Sequence, residues 1–520
     1  MGSVLSSICK TGEEEKKKLM EDSMLRREVR AEVVPKKKHL KRDDSLFLPE
    51  KSVLSGNVIK SHYNMMDQIG KGSFGHVQKA YLKVDSGKKR PFAIKTVEKS
   101  VHQKELKRFL REIEILKTLD HPNIIRFFEA YESRNSYFII QELCEGGDLG
   151  KLLELQTVGV PENIARDLMW QILQSIHYLH FKGIAHRDIK PENFLIEKPQ
   201  SRILKLIDFG LSATISCSTE VINETVGSPF FIAPEVLEKN YSPLCDIWSA
   251  GIILFNLMTC SFPFVHEENP ILFEMIKKGQ YNKSPIENSG YSTVAKDLLE
   301  RMLIREEEPD GRKRISAFES LQHEWFQENR QEIGREGKKF LSKGLLENLR
   351  NFSYQTLIQR EMMNLMVHET DFNNPEIQKI RTVFRYIDTD MSGSISAKEI
   401  DAIYKEYDIE LNDGEIYDII DSLYFKEKAV VTYLEFTTAC IDKEFYRDKT
   451  RVKELFDYID VSGRGEIDYT DIQDCFKRFG RLLDENKIRR MIEECDMDKN
   501  HMISLDEFYS IIVAERKKVK

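Results

Sequence analysis

Residues 388–399, DTDMSGSISAKE, set oxygen-bearing residues at positions 1, 3, 5, 9 and 12 of a twelve-residue stretch, with glycine at position 6. A turn of that length wraps one hard cation, and a bidentate glutamate at its last position closes the shell. Asp388, Asp390, Ser392, the Ser394 carbonyl, Ser396 and Glu399 fill the ligand places, and Gly393 supplies the sharp turn. Oxygen-only donors in this order suit calcium. Residues 496–507, DMDKNHMISLDE, repeat the pattern with Asp496, Asp498, Asn500, the Met502 carbonyl, Ser504 and Glu507. His501 stands where glycine is expected; that place needs a positive φ, which histidine adopts at some cost.

Two more loops fall into register, because starts at 388, 424, 460 and 496 are each 36 residues apart. The four segments read as EF-hands. In loop 424–435, Tyr424, Lys426 and Lys428 take the first three ligand places, so absent ligands and like charge both forbid calcium. Val431, at position 8, matches Ile395, Ile467 and Ile503. Position 8 forms the short β-contact between paired loops, so loop two is expected to hold loop one in shape. In loop 460–471, Asp460, Ser462 and Asp468 can ligate, but Arg464 intrudes and Asp471 is one methylene short at the last place. Weak calcium binding or none is expected there, leaving about two competent sites.

A second set of motifs precedes these loops. GKGSFGHV (70–77) is followed in order by Lys95 in AIK, Glu112 in REIEIL, and Asp188, Lys190 and Asn193 in HRDIKPEN. Asp208 in DFG, Glu235 in IAPE, DIWSAG and Arg314 complete the series. A lone glycine-rich turn is weak evidence; the ordered series resembles the protein-kinase signature set. The chemistry explains the residue types. Glycines let backbone approach the ATP phosphates. Lys95, fixed by Glu112, would hold phosphates; Asn193 and Asp208 would hold Mg²⁺; Asp188 would accept the proton of a substrate hydroxyl. The resemblance places Ile69, Gly70, Lys71, Gly72, Ser73, Gly75, Val77, Ala93, Lys95, Glu142, Cys144, Asp148, Glu192, Asn193 and Asp208 around the nucleotide.

Kinase motifs, a junction and four EF-hands in one chain resemble the calcium-dependent protein kinases of plants and apicomplexan parasites. The resemblance spans about 60–516. It implies an α+β fold class, a bilobal protein kinase fold followed by an all-α calmodulin-like domain of four EF-hands. It also implies a calcium-activated serine/threonine kinase using ATP, Mg²⁺ and Ca²⁺. KPEN (190–193) matches the serine/threonine class, and Glu192 and Asp148 match acidic positions that favour basic residues N-terminal to the phosphoacceptor. In the activation segment, Glu224 stands where many kinases carry a phosphothreonine and would pair with Arg187. Thr225 is a further phosphosite candidate and Ser228 follows it. Gln141 aligns with the gatekeeper at the back of the ATP pocket. Residues 327–375 would form an autoregulatory junction helix whose apolar anchors, Leu345, Leu349, Phe352, Leu357, Met362 and Met366, fit a groove opened by calcium. A scaffold without phosphotransfer is opposed by the intact Lys95, Asp188 and Asp208; a kinase served by external calmodulin is opposed by loops one and four.

Elements must position these groups. The kinase region is expected over 59–326, strand-rich to about 145 and mostly helical from 146, with the EF-hands over 376–516. The uncharged stretch 247–265 contains Asn256, Thr259 and Pro263 and reads as a buried core helix rather than a membrane span. A net charge of −8 gives no general case for nucleic-acid binding. Eight scattered cysteines with no C-x-x-C pair favour reduced thiols in a cytoplasmic setting. Residues 1–58 read as a charge-dense, disordered leader with a helical run near 13–32. MGSVLS fits N-myristoylation at Gly2, with Cys9 as a palmitoylation candidate and Lys36, Lys37, Lys38, Lys41 and Arg42 facing anionic lipid. Membrane association and protein substrates in basic contexts are the expected partners.

Overall fold

A five-stranded antiparallel sheet, ordered β1-β2-β3-β5-β4, carries the first half of the catalytic motifs. Its strands are β1 (Tyr63–Gly72), β2 (Gly75–Leu82), β3 (Pro91–Glu98), β4 (Phe127–Glu132) and β5 (Ser136–Glu142). In this computed structural model the described residues are 59, 63–72, 75–83, 91–100, 102–215, 226–305, 311–354, 356–370, 374–423, 430–460, 463–478 and 484–514. The leader, with Gly2 and Cys9, lies outside them, as do Ser73, Glu224, Thr225, Tyr424, Lys426, Lys428 and Ser462.

Register fixes Lys95: on β3 it pairs with Val77 of β2 and Ile139 of β5. Ile94 and Phe92, one and three residues before it, point to the opposite face and join Tyr63, Phe128 and Ile140 in a small core. Gly75 is required by this sheet, since a Cβ there would overlap the Thr96 carbonyl oxygen. Helix α1 (Gln103–Leu116) buries Phe109, Glu112, Ile113 and Leu116. That spacing is one helical face, so Glu112 sits in the middle of an apolar stripe.

The larger lobe is built on α2 (Leu149–Glu154), α3 (Glu162–Phe181) and α4 (Cys245–Thr259), with a strand pair β6 (Phe194–Ile196) and β7 (Leu204–Leu206). Helix α4 is buried from Cys245 through Met258, which accounts for its uncharged sequence. Among the described residues, no helix is long and apolar enough to cross a membrane.

The junction is three helices, where one was expected. They are α5 (Gln327–Phe340), α6 (Lys343–Asn351) and α7 (Leu357–Glu369). Local capping breaks the run: Ser342 accepts a hydrogen bond from Leu345 N, and Thr356 accepts one from Gln359 N. The apolar face of α6 and α7 belongs to the C-terminal core: Leu346, Leu349, Met362 and Met366 are buried there, with Leu345, Phe352 and Leu357 packed at its edge. Gln359 Nε2 donates to the Ile511 and Ala514 carbonyls.

Four helix-loop-helix units follow: α8 (Pro375–Ile387) with α9 (Ala397–Glu406), α10 (Asp413–Leu423) with α11 (Tyr433–Cys440), α12 (Lys449–Ile459) with α13 (Tyr469–Arg478), and α14 (Glu485–Glu493) with α15 (Leu505–Ile512). The loops pair as β8 (Ser394–Ser396) with β9 (Val430–Thr432), and β10 (Glu466–Ile467) with β11 (Ile503–Ser504). Ile395 faces Val431 and Ile467 faces Ile503, the position-8 contacts expected from the repeat. Residues 53–520 form one compact unit, and α5 crosses α8 so closely that a Cβ on Gly337 would overlap the Tyr386 side chain.

Candidate active site and calcium loops

Lys95 Nζ lies 2.8 and 2.7 Å from the two carboxylate oxygens of Glu112. Burial works against both charges. Glu112 and Asp208 more than offset it at Lys95, whose pKa is raised. At Glu112, burial outweighs Lys95 and leaves the carboxyl raised. The lysine is thus a fixed cation facing the cleft. Ile69 on β1 is half exposed, Val77 on β2 and Ala93, two residues earlier on β3, flank Lys95, and Gly70, Lys71 and Gly72 are in the extended backbone of β1.

The catalytic-loop residues converge on one carboxylate. Asp188 Oδ2 is 2.7 Å from Lys190 Nζ, and its Oδ1 accepts the Ser228 hydroxyl at 2.9 Å. Lys190 Nζ also donates to Ser228 Oγ at 2.9 Å. Asn193 Nδ2 donates to the Asp188 carbonyl at 2.7 Å and to Oδ2 at 3.1 Å, which leaves its Oδ1 for a cation. Asp208 holds φ 64° and accepts Gly210 N at 3.3 Å. An amide oxygen and a carboxylate are donor types that fit Mg²⁺.

Asp246, from α4, holds this loop from below. It accepts His186 N at 2.9 Å, Arg187 N at 2.8 Å and His180 Nε2 at 2.9 Å. Burial alone would raise its pKa; His180 first, then His186 and the Arg187 amide, bring it below the ordinary value. Arg314 and Glu235 form a buried ion pair that braces the end of the activation segment. Ser228 is therefore placed on the catalytic carboxylate itself, while Arg187 donates to the Leu211 carbonyl and to Tyr241.

Two expected nucleotide neighbours have structural duties. Asp148 caps α2, accepting Lys151 N at 2.9 Å, and pairs with Lys151 Nζ at 3.1 Å. Glu142 turns its side chain to the fully buried Lys205, 3.0 Å away. Glu192 lies in a short 3₁₀ turn (Pro191–Asn193) beside Gly150. Lys205 was not legible in the sequence: a lysine in a run of apolar residues carries no signal until Glu142 is seen opposite.

In loop one, Asp388, Asp390 and Glu399 each bring a carboxylate oxygen within 4.8 Å of the others; Asp496, Asp498 and Glu507 do the same in loop four. Asp388 accepts Ser392 N and Gly393 N at 2.9 Å, and Asp496 accepts Asn500 N at 3.1 Å and His501 N at 2.8 Å. The last-position glutamates accept Thr389 N and Met497 N at 2.7 and 2.8 Å. His501 holds φ 65°, as its place requires. Burial first, then Glu399 and Asp390, push Asp388 up to about 8, a cost that a cation among them removes. Both donor sets fit calcium. In loop three, Arg464 Nη2 lies 2.5 Å from Asp468 and 2.8 Å from Asp471, inside the ligand set.

The C-terminal region reaches the kinase behind the cleft. Arg126 Nη1 donates to the His368 carbonyl at the end of α7 at 2.6 Å. Tyr458 of α12 donates to Glu129 of β4, which also accepts Tyr63 OH at 3.0 Å. None of these contacts had a sequence signal, because each joins residues more than sixty positions apart.

The protein kinase domain family matches residues 63–326, and the EF-hand domain pair matches 377–441 and again 449–513. Calcium-dependent protein kinase 3 of Plasmodium berghei (strain Anka) is 32% identical over 90% of this chain and 83% of its own length. Calcium-dependent protein kinase 33 of Arabidopsis thaliana is 31% identical over 87% of this chain and 85% of its own length. Calcium-dependent protein kinase 11 of Oryza sativa subsp. japonica is 32% identical over 91% and 81%. The cleft, the ordered motifs and the paired calcium loops thus lie in a relationship that runs through nearly the whole chain, and the chain belongs to the calcium-dependent protein kinases: it is a calcium-activated serine/threonine protein kinase.

Proposed function

We propose that Asp188 accepts the hydroxyl proton of a protein serine or threonine, with Lys190 holding the transferred phosphoryl group and Lys95, fixed by Glu112, holding the remaining phosphates. Mg²⁺ held by Asn193 and Asp208 supplies charge neutralisation when bound. Ser228 keeps Asp188 oriented until a substrate hydroxyl replaces its own, which the 2.9 Å contact supports. Loops one and four are the calcium sites, about two ions per chain; loops two and three are structural.

The same reading assigns autoinhibition to residues 327–375. The observation that carries it is the burial of Leu346, Leu349, Met362 and Met366 in the EF-hand core. A segment whose apolar face needs that core must find another surface when calcium leaves and the helix pairs close. The kinase lobes are the surface within reach, so calcium withdrawal moves the junction onto them. Glu192 favours basic residues N-terminal to the phosphoacceptor, and acylation at Gly2 and Cys9 holds the enzyme at membranes.

The test is phosphate transfer from ATP-Mg²⁺ to an R-x-x-S peptide in buffered calcium and in chelator, with Asp188→Asn alongside. Transfer that needs both calcium and Asp188 is expected. A chain lacking 327–375 and the EF-hands should be active in chelator; if it is silent there while the parent works in calcium, the inhibitory role of the junction is wrong.

A further inference from the structure

The two calcium loops share ligands but face different surroundings. In loop one, the Asp390 carbonyl meets His177 Nε2 of α3 at 2.9 Å. Met391 packs against the core of the larger kinase lobe. A Cβ on Gly393 would sit 2.6 Å from Tyr178 Cε2 and closer still to Cδ2. The equivalent places in loop four are Asp498, Lys499 and His501, all exposed. The backbone is the same in both: Met391 has φ 54° and Lys499 φ 65°, Gly393 φ 74° and His501 φ 65°. So the turn itself accepts a lysine and a histidine. What demands methionine and glycine in loop one is the kinase surface.

That surface connects to the active site through residues 117–124, which link α1, bearing Glu112, to β4. Tyr178 OH accepts Asp120 N at 2.9 Å, and Asp120 Oδ2 accepts Leu434 N of α11 at 3.1 Å. Arg381 and Arg385 of α8 donate to the Pro122 carbonyl at 3.4 Å and to Asn123 Oδ1 at 3.3 Å. Asn123 O accepts Leu206 N at 2.8 Å, two residues before Asp208. Helix α1 and the strand feeding Asp208 are therefore tied to one segment, and the first EF-hand pair grips it.

We propose that loop one is a docking element as well as an ion site, and that His177 and Tyr178 are positioning residues that read its calcium-bound shape directly. Loop four turns the matched places to solvent. The inference rests on loop one being a calcium site. It follows that the outward face of loop one can be altered without touching a ligand, which separates binding from response.

The experiment uses the full chain. Met391→Lys copies loop four, and Gly393→Asn keeps a residue that accepts positive φ. Calorimetry counts calcium ions, a buffered assay gives the calcium needed for half-maximal activity, and hydrogen exchange follows residues 117–124. Both variants should bind the parental number of ions yet need at least tenfold more calcium for activation, with faster exchange at 117–124. The reverse change, Lys499→Met, should alter none of these. His177→Gln, which restores a donor to the Asp390 carbonyl, should respond more like the parent than His177→Ala does. Parental activation by Met391→Lys overturns the proposal, and so does loss of an ion together with activation, since face and site would then be inseparable. Glu399→Gln tests the underlying site by itself: an unchanged ion count removes loop one as a calcium site, whatever the other variants do.

Discussion

Replacing Asp246 by asparagine removes one charge and reverses one hydrogen-bonding atom beneath the catalytic loop. The carboxylate is 1% exposed and serves three N–H donors with two oxygens. Its Oδ2 takes His186 N and His180 Nε2, and its Oδ1 takes Arg187 N. An amide oxygen in the Oδ2 place keeps two of these bonds but turns an NH₂ toward Arg187 N–H. The other flip keeps only Arg187 and opposes two donors. The better choice loses one charge-assisted bond and strands a buried amide, for about 1.5–3 kcal/mol and about 1–3 kcal/mol respectively. Relief of carboxylate burial returns part of this, so the net loss is about 3 kcal/mol. Asp246 is held below its ordinary pKa, so its stabilising share is present above about pH 4 and fades as pH falls through the folded value. Arg187 sits at φ 68° next to Asp188, so a shifted amide displaces the catalytic carboxylate. Misplacement of that order costs roughly a hundredfold in kcat. Urea unfolding of the kinase region and kcat at saturating calcium are the assays. A midpoint and kcat both matching the parent would refute this account of how the loop is held.

Three further outcomes follow from other parts of the chain. Arg464→Asp should raise the calorimetric calcium count by one, because it replaces the cation between Asp468 and Asp471 with a ligand; Arg464→Ala removes only the cation and should gain less. Gly337→Ala should lower stability by about 1–3 kcal/mol, read as a thermal midpoint, because its methyl overlaps Tyr386 and must push α5 from α8. His121 is held well below its ordinary pKa by burial first, then by Arg385, Arg381, Lys205 and His177. It is neutral when folded and protonates in the unfolded chain below about pH 6.5, so its contribution is complete above that pH and is lost as pH falls. His177 shifts the same way. The unfolding midpoint in calcium should therefore drop between pH 7.5 and 5.5, and the drop should shrink in His121→Asn.

What the sequence reveals depends on how local the determinant is. The kinase motifs are short and ordered, so Lys95, Glu112, Asp188 and Asp208 stand out before any fold is known. The calcium loops are as legible, since one turn contains every ligand. The junction misleads because its apolar periodicity runs on past Ser342 and Thr356, whose caps stop the helix. Thr356 with Gln359 has the form of a capping box, a local signal that prevails over the periodicity. The docking face is legible only by comparison: Met391 and Gly393 against Lys499 and His501, at matched places in two loops that share their ligands. Lys205 and Glu129 have no local signal, as their partners are assembled by the fold.

Loop three is best understood as a loop that carries its own cation. The Arg464 guanidinium lies on Asp468 and Asp471, and Asp460 still accepts Gly465 N at 2.7 Å as a ligand-bearing turn does. These contacts tie the described part of the turn together without an ion, and β10 pairs with β11. A two-strand contact this short is not stable alone, so a fixed partner matters to loop four. With half of the C-terminal pair preset, calcium at loop four has less chain to order. Loop one has a partner without ligands and a kinase surface to satisfy besides its ion. The same twelve-residue turn thus serves as an internal brace where Arg464 takes a ligand place, and as the reporting site where Met391 and Gly393 meet the kinase.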